Sequence, residues 1–257
     1  MCGIAGIVDW SGGPIDPAVI GRMCHALRHR GPDDEGMAIR PATPDTREAS
    51  VGFGHTRLSI IDLAGGRQPL SNADQTLWIV FNGEIYNYRS LRQELLAAGY
   101  SFRTQSDTEV ILQAYAAFGP HCVSRLRGMF AFAIWDQRRQ RVVLARDRVG
   151  TKPLVYAHRG SRLVFASELQ ALLQDPRLPV AVNWEAIHDY LTLLCIPAPR
   201  TAFEGVVKLP PAHVAVVDAT GVHLERYWSL DPTVKRPLTV DEAADELHRL
   251  FVQAVTR

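Results

Sequence analysis

The chain has 257 residues, of which 47% are hydrophobic and 21% charged, as in a globular protein that buries a core. Its 28 Lys and Arg residues balance 27 Asp and Glu residues, so its charge predicts neither a nucleic-acid partner nor an anionic membrane surface. No apolar run approaches the ~20 residues of a membrane span, and no signal peptide is recognisable. Neither the 4 cysteines nor the 9 histidines have the spacing of metal ligands. We therefore expect a soluble, cytoplasmic protein without a metal site.

The first predicted element is a short buried strand over residues 3–8, and Cys2 immediately precedes it. Once Met1 is removed, Cys2 carries both a thiol and a free α-amino group, which can act as a nucleophile and its base. The alternative interpretation is a small residue at the start of a buried strand. Met-Cys alone favours that alternative, so later residues must decide.

A helix is predicted next, over residues 17–28, with Asp16 as its N-cap and Cys24 on its apolar face as a core thiol. The helix leads into a charged stretch over residues 28–34. This stretch is either solvated surface or a mobile lid. Residues 40–50 are rich in proline and polar residues and are predicted to form an exposed loop.

A strand predicted over residues 51–57 ends at Arg57, which stands between apolar residues. An unpaired charge is unfavourable in such a place. Arg57 therefore either forms a structural ion pair or provides a fork for the carboxylate of a substrate.

A second apolar strand, predicted over residues 77–81, stops at the sequence Asn-Gly-Glu of residues 82–84. Asn-Gly is a common turn sequence. An amide side chain and a glycine N–H at the end of a buried strand can also stabilise a tetrahedral oxyanion. Asn87 is the predicted N-cap of a helix that ends at Gly99.

A further helix, predicted over residues 108–118, begins with a capping box formed by Ser106 and Glu109. Asp107 is favourable at this helix N-terminus through the helix dipole alone, which is a structural explanation for it. Two strand pairs are predicted after this helix, namely residues 129–135 with 142–145 and residues 154–157 with 163–166.

Together these segments resemble the N-terminal glutaminase domain of the glutamine-hydrolysing asparagine synthetases, a class II glutamine amidotransferase. The resemblance extends over residues 2–228. It rests on C-G-I at residues 2–4, R-G-P-D at 30–33, R-L-S-I-I-D-L at 57–63, F-N-G-E-I-Y-N at 81–87, S-D-T-E at 106–109, D-R-V-G-T-K-P-L at 147–154, F-A-S-E at 165–168 and I-P-A-P-R-T at 196–201. Each motif alone is modest, but their order and spacing are specific.

The resemblance implies an α+β fold of the N-terminal-nucleophile hydrolase type, a four-layer α/β/β/α sandwich of two antiparallel sheets. It also implies the roles of individual residues. The implied catalytic residues are the nucleophile Cys2 and the oxyanion-hole residues Asn82 and Gly83. The implied glutamine-binding residues are Arg57 for the carboxylate, Glu84 and Asp107 for the ammonium group, and Leu58 and Ile60 through their backbone groups.

By the same resemblance, glutamine is hydrolysed to glutamate through a thioester, and the ammonia serves the ATP-dependent amidation of aspartate. The glutaminase half needs no cofactor, whereas the synthetase domain uses ATP and Mg²⁺. The implied partners are glutamine and a synthetase domain, in cis or in trans. The resemblance is also compatible with a homodimer.

Residues 229–257 are expected to be a linker and the first helix of the synthetase domain. This helix, predicted over residues 239–256, opens with a capping box of Thr239 and Glu242 and has one apolar face. The sequence contains neither the S-G-G-x-D-S pyrophosphate loop of that domain nor a Walker-type loop. We therefore expect a fragment or a split subunit.

Three alternative functions are compatible with parts of this sequence. A class II amidotransferase of amino-sugar or purine synthesis is disfavoured by the motifs at residues 57–63 and 147–154. A related synthetase that amidates or cyclises another carboxylic acid stays open, because the acceptor is chosen in the other domain. A non-catalytic remnant is disfavoured by the complete set of site residues.

Overall fold

The computed structural model describes residues 1–42, 48–62 and 65–256, and two antiparallel sheets of six strands form its centre. In spatial order, sheet A consists of β10 (Val207–Lys208), β8 (Val155–Arg159), β9 (Arg162–Ala166), β1 (Gly3–Asp9), β3 (Ser50–Arg57) and β2 (Asp34–Arg40). Sheet B consists of β12 (Gly221–Arg226), β11 (His213–Asp218), β7 (Arg141–Arg146), β6 (Gly128–Asp136), β5 (Leu77–Ile85) and β4 (Leu70–Ser71). The helices are α1 (Pro17–Leu27), α2 (Tyr88–Ala97), α3 (Asp107–Phe118), α4 (Leu169–Leu172), α5 (Trp184–Leu193), α6 (Val240–Val255) and a 3₁₀ helix over Gly119–Arg125.

The alternation of side chains along the strands explains why the two sheets stack. In β1, Ile4 and Val8 enter an apolar core shared with sheet B, whereas Ala5 and Ile7 enter the core that contains the buried face of α1. Because both faces of β1 are apolar and buried, the strand requires covering layers on both sides.

Three apolar cores separate four layers. One core lies between sheet A and helices α1 and α4, the second between the sheets, and the third between sheet B and helices α2 and α3. Cys24 is buried in the first of these cores, as predicted. The expected α/β/β/α sandwich of two antiparallel sheets is therefore confirmed.

The predicted end of the second strand was wrong, because β5 continues through the Asn-Gly-Glu sequence to Ile85. Residues 82–84 pair with residues 129–131 of β6 in unbroken antiparallel register. The turn interpretation of Asn-Gly fails because β6 is long enough to pair with β5 up to Gly128.

Two predicted caps differ in their hydrogen bonds. Asn87 stands at the N-cap of α2 but makes no capping bond there, and its side chain bonds to the backbone of Arg125 and Arg127 instead. Ser106 caps α3, whereas the carboxylate of Glu109 accepts from backbone N–H groups that precede the helix. Each side chain thus secures a neighbouring loop.

The charged stretch that the sequence analysis assigned to a loop or lid leads into β2, at the edge of sheet A next to β3. An edge strand has no neighbouring strand on one side, and charged side chains are common on such strands. Three predicted features extend beyond the described residues. The expected exposed loop at residues 40–50 lies partly outside them, and residue 63 of the R-L-S-I-I-D-L motif and residue 257 lie wholly outside.

Helix α6 forms with the predicted capping box, in which Thr239 accepts from the Glu242 backbone and the Glu242 carboxylate returns to the Thr239 N–H. None of its residues is buried, and Leu247 and Phe251 are exposed. Among the described helices, none has the length and apolar composition needed to cross a membrane.

A buried ion-pair network joins β1 to β9 and the segment after α4. Arg162 bonds to Asp9 at 3.0 Å and to Asp175 at 2.8 Å, and both carboxylates are buried. Arg177 adds a contact with Asp9 at 3.1 Å. The guanidinium groups of Arg162 and Arg177 therefore balance two carboxylates whose burial would otherwise be unfavourable, and Arg162 is the one that contacts both.

Replacing Arg162 by methionine leaves these two buried carboxylates without their shared cation. We expect R162M to lower the free energy of unfolding by about 3–5 kcal/mol. The matched control is R138M, because Arg138 pairs with Asp74 on the exposed surface, where such a pair contributes at most about 1 kcal/mol. Urea unfolding measures both variants, and equal losses would contradict the importance of the buried network.

Candidate active site

A cavity lies where the two sheets and α3 meet. Cys2 enters it from the start of β1, Arg57 and Leu58 from the end of β3, and Glu84 from the end of β5. Asp107 lines it from the first turn of α3. Residues far apart in the sequence are thus brought into one pocket by the ends of buried elements.

The remaining predicted site residues lie beside or in this pocket. Gly83 lines it, and Asn82, its neighbour on β5, is 1% exposed. Ile60, predicted to line it through its backbone, has a side chain that is 63% exposed, and Ile61 lies at the wall instead.

The thiol of Cys2 is held by the backbone of Leu58. The Leu58 N–H donates to Sγ at 3.4 Å, and Sγ lies 3.6 Å from the Leu58 carbonyl oxygen. Burial raises the pKa of this thiol, while the Leu58 N–H and the N-terminal ammonium group oppose that shift. Because burial prevails, the thiol needs a base or a cation nearby to become a nucleophile.

The N–H of Gly83 points towards the same side of β5 as two other backbone donors. Phe81 N donates to Gln68 Oε1 at 2.6 Å, and Ile85 N donates to Asp107 Oδ2 at 3.0 Å. In a strand, the N–H groups of residues i and i+2 point to the same side. The Gly83 N–H therefore lies between these two anchors and faces the pocket.

Residue 83 has no room for a side chain. A Cβ added to Gly83 would lie 2.1 Å from the Met129 carbonyl oxygen, which is far inside van der Waals contact. Next to it, Asn82 Nδ2 is buried and has no hydrogen-bond partner among the described residues. A buried N–H without a partner is unfavourable, and an oxyanion would satisfy it.

Two carboxyl groups on one wall of the pocket resist ionisation. Burial, together with the nearby charge of Asp107, raises the pKa of Glu84 to about 7, although Lys152 opposes the shift. Burial raises the pKa of Asp107 to about 6, although the N–H groups of Ile85 and Thr108 oppose it. A cationic group of a ligand would stabilise both carboxylates.

Arg57 lies on another wall and is 5% exposed. Its Nη2 donates to the carbonyl oxygens of Ile61 at 3.1 Å and Asp62 at 2.7 Å, which fix the guanidinium at the end of β3. The pocket thus combines a cation, two carboxyl groups and a thiol, a pattern suited to an amino acid with a reactive side chain.

Sequence reasoning missed two residues of this region. Gln68 joins β5 to α3, because its amide accepts from Phe81 N and donates to Thr108 Oγ1 at 3.3 Å. Lys152 is 3% exposed and interacts electrostatically with both Glu84 and Cys2. No local sequence pattern marks Gln68, and Lys152 is recognisable in the sequence only as part of the motif D-R-V-G-T-K-P-L. Within the described ranges, no cluster of His, Cys, Asp or Glu side chains is arranged to hold a metal ion.

The fold is that of an amidotransferase of known structure. The solved structure of glutamine phosphoribosylpyrophosphate amidotransferase from Bacillus subtilis matches with a TM-score of 0.60 at 21% identity, over 90% of this chain and 50% of that one. At this identity the likeness concerns the fold alone.

A family model described as the glutamine amidotransferase domain matches residues 1–228, and the chain belongs to this family. It is 37% identical to asparagine synthetase [glutamine-hydrolyzing] 3 of Bacillus subtilis, over 100% of this chain and 41% of the relative. It is 34% identical to a putative asparagine synthetase [glutamine-hydrolyzing] 2 of Methanocaldococcus jannaschii, over 99% of this chain and 52% of the relative. The chain thus spans about half, or less, of these relatives.

The raised pKa of Glu84 predicts how glutamine binding depends on pH. The glutamine ammonium group that is predicted to bind at Glu84 favours the ionised carboxylate, so affinity is expected to fall as pH decreases through about 7 and Glu84 becomes protonated. In a C2A variant, which binds without reacting, we expect the Kd to be about twentyfold higher at pH 6 than at pH 8, about tenfold from protonation of Glu84 and about twofold from protonation of Asp107. Titration calorimetry measures it.

Glu84→Gln in the same C2A background is the matched control. This variant should bind more weakly at every pH and show only the roughly twofold change at pH 6 that protonation of Asp107 causes. His55 does not interfere, because burial lowers its pKa to about 4. A pH-independent Kd in the C2A variant would contradict the placement of Glu84 against the ammonium group.

Proposed function

We propose that residues 2–228 hydrolyse glutamine to glutamate and ammonia, with Cys2 as the nucleophile. The observation that supports the proposal is that one cavity is lined by a thiol, a backbone donor and opposite charges for an amino acid, with a second, unpaired amide donor on the adjacent residue of β5. The thiol belongs to Cys2 and the donors to Asn82 and Gly83.

In the proposed reaction, removal of Met1 gives Cys2 a free α-amino group. The amine takes the thiol proton, and the thiolate attacks the side-chain carbonyl carbon of glutamine. The Asn82 amide and the Gly83 N–H stabilise the resulting oxyanion. The C–N bond then breaks, the α-ammonium group returns its proton to the leaving ammonia, and water hydrolyses the thioester to glutamate. No cofactor takes part in these steps.

Glutamine is proposed to bind with its α-carboxylate at Arg57 and its α-ammonium group between Glu84 and Asp107. The backbone of Leu58 holds the sulfur, and we keep Ile60 as a predicted contact of the bound substrate. This orientation directs the carboxamide towards Cys2, which leaves the charged groups of the substrate at the far walls of the cavity.

For the whole protein, we propose that the ammonia passes to an ATP- and Mg²⁺-dependent synthetase domain, in cis or in trans, that amidates aspartate. The relatives are named as asparagine synthetases, which supports this acceptor. Residues 229–257 would contain the linker and the first helix of that domain, and exposed Leu247 and Phe251 of α6 would pack there. A homodimer and a cytoplasmic location remain part of this proposal. Amidation or cyclisation of another acid is the competing outcome.

The central test is glutamate release from glutamine. We expect C2A to abolish it, because no other group in the pocket replaces the thiol. N82A should lower kcat by about 10²–10³, the usual effect of removing one oxyanion donor. Cys195→Ala is the matched control, because Cys195 is an exposed cysteine outside the cavity.

Intact mass of the active protein should show that Met1 is absent. Full activity in protein that retains Met1 would contradict the α-amine as the base. Glutamate release by the C2A variant would contradict the proposed function as a whole.

Tracing the amide nitrogen of glutamine identifies the acid that accepts the ammonia. Glutamine labelled with ¹⁵N in its amide, together with aspartate, ATP and Mg²⁺, should give ¹⁵N-asparagine when this domain acts with its synthetase domain. The C2A variant should still form asparagine from free ammonium but not from glutamine. Labelled nitrogen in a different amide or in a cyclised product, detected by mass spectrometry, would establish the competing outcome.

A further inference from the structure

Lys152 is a buried cation beside the residue that the proposed reaction uses as its nucleophile. Its side chain is 3% exposed, and its ammonium group donates to Met1 Sδ at 2.9 Å. A thioether is a weak acceptor for an ammonium group. Among the described residues, no carboxylate forms an ion pair with it, although Glu84 and Asp147 lie within electrostatic range.

Two charged residues, the buried Asp147 and the half-buried Arg146, fix the loop that carries Lys152. The carboxylate of Asp147 accepts from the backbone N–H groups of Lys152 at 3.0 Å and Thr151 at 2.9 Å. Arg146 donates to the carbonyl oxygens of Lys152 and Gly150, both at 2.7 Å. A loop held this firmly maintains the ammonium group next to the N-terminal residue, although burying it is unfavourable.

The loop is also joined to the strand opposite the oxyanion donors. Asp147 accepts from Phe130 N at 3.2 Å and donates through its own N–H to Phe130 O at 2.9 Å. Phe130 is the β6 partner of Gly83. The position of Lys152 is therefore coupled to the same pair of strands that places Gly83.

We propose that Lys152 is a positioning residue for glutamine hydrolysis, whose ammonium group keeps the α-amine of the processed N-terminal Cys2 neutral before proton transfer and stabilises the thiolate that the transfer produces. This inference rests on the proposed function. A neighbouring cation stabilises a thiolate and destabilises an ammonium group, so Lys152 lowers the pH at which the amine can act as the base and makes the resulting α-ammonium group a better donor to the leaving nitrogen. Removal of Met1 takes away the thioether partner of Lys152.

Other charged groups act on the same two residues. Glu84 on β5 and Arg57 on β3 act on Cys2, whereas Glu84, Arg30 after α1 and Asp147 after β7 act on Lys152. Two further groups act indirectly, Asp107 on Glu84 and Glu168 through its ion pair with Arg30. Glu84 raises the pKa of the Cys2 thiol and Arg57 lowers it. Burial lowers the pKa of Lys152, and Glu84 and Asp147 oppose that shift. Lys152 therefore counteracts both the burial of the thiol and the charge of Glu84.

The test is the pH dependence of Cys2 alkylation by iodoacetamide, measured by peptide mass spectrometry in protein that lacks Met1. A cation within about 4–6 Å lowers the pKa of an acid by about 1–3 units, so the loss of such a cation raises that pKa by at least about one unit. We expect the alkylation midpoint to rise by about one pH unit in K152M and in K152Q. The acidic limb of the kcat/KM profile for glutamine should move in the same direction.

K152R keeps the charge and should stay close to the wild-type midpoint. K235M is the control for net charge, because Lys235 is exposed in the linker, and it should leave the midpoint unchanged. Unchanged midpoints in both neutral variants would overturn the proposal. A loss of activity that is equal at every pH would do so as well, since a merely structural role predicts it.

Alkylation keeps this test separate from the proposed function. If the wild-type protein released no glutamate, the proposed function would fail, yet the alkylation midpoints would still decide the role of Lys152. Thermal unfolding of each variant identifies any that do not fold. Because K152M and K152Q differ in shape but share the loss of charge, agreement between them excludes a packing artefact.

Discussion

The pairing of β1 in the middle of sheet A is the constraint on which the site depends. Gly3 pairs with Thr56 of β3, and a Cβ at Gly3 would lie 2.6 Å from Thr56 Oγ1 and 2.8 Å from Leu27 Cβ. This close packing holds Cys2 at the end of β3, where the backbone of Leu58 meets its sulfur. The position of the thiol therefore follows from the packing of a buried strand rather than from a flexible terminus.

Burial disfavours the ionised form of each acidic group that lines the pocket. It raises the pKa of the Cys2 thiol, of Glu84 and of Asp107, because the charged form of each loses its hydration. A cation close to any of these groups would therefore stabilise its ionised form. A ligand ammonium group would relieve the two carboxylates, and the ammonium of Lys152 would relieve the thiolate. In the proposed reaction, binding of the substrate and activation of Cys2 would therefore both depend on the burial of these acidic groups.

Much of the architecture could be predicted from local patterns. The apolar run after Cys2, the Asp16 cap of α1 and the two predicted hairpins all agree with the structure, because apolar periodicity and caps report burial and local hydrogen bonds. The chemical character of Arg57 and of the Asn-Gly pair was also apparent from the residues. The order of the motifs indicated the family and, through it, the roles predicted for Glu84 and Asp107.

The chain's own sequence determined its apolar layers, the caps at Asp16, Ser106 and Thr239 and the family to which it belongs, whereas the tertiary structure decided how the site is built. Whether Asn82 and Gly83 formed a turn or continued a strand depended on β6, since only that pairing places the Met129 carbonyl where a Cβ at residue 83 would lie. The contacts of Gln68 and Lys152 likewise join segments distant in the sequence. Such contacts leave no periodic pattern, because their geometry arises only when separate elements pack together.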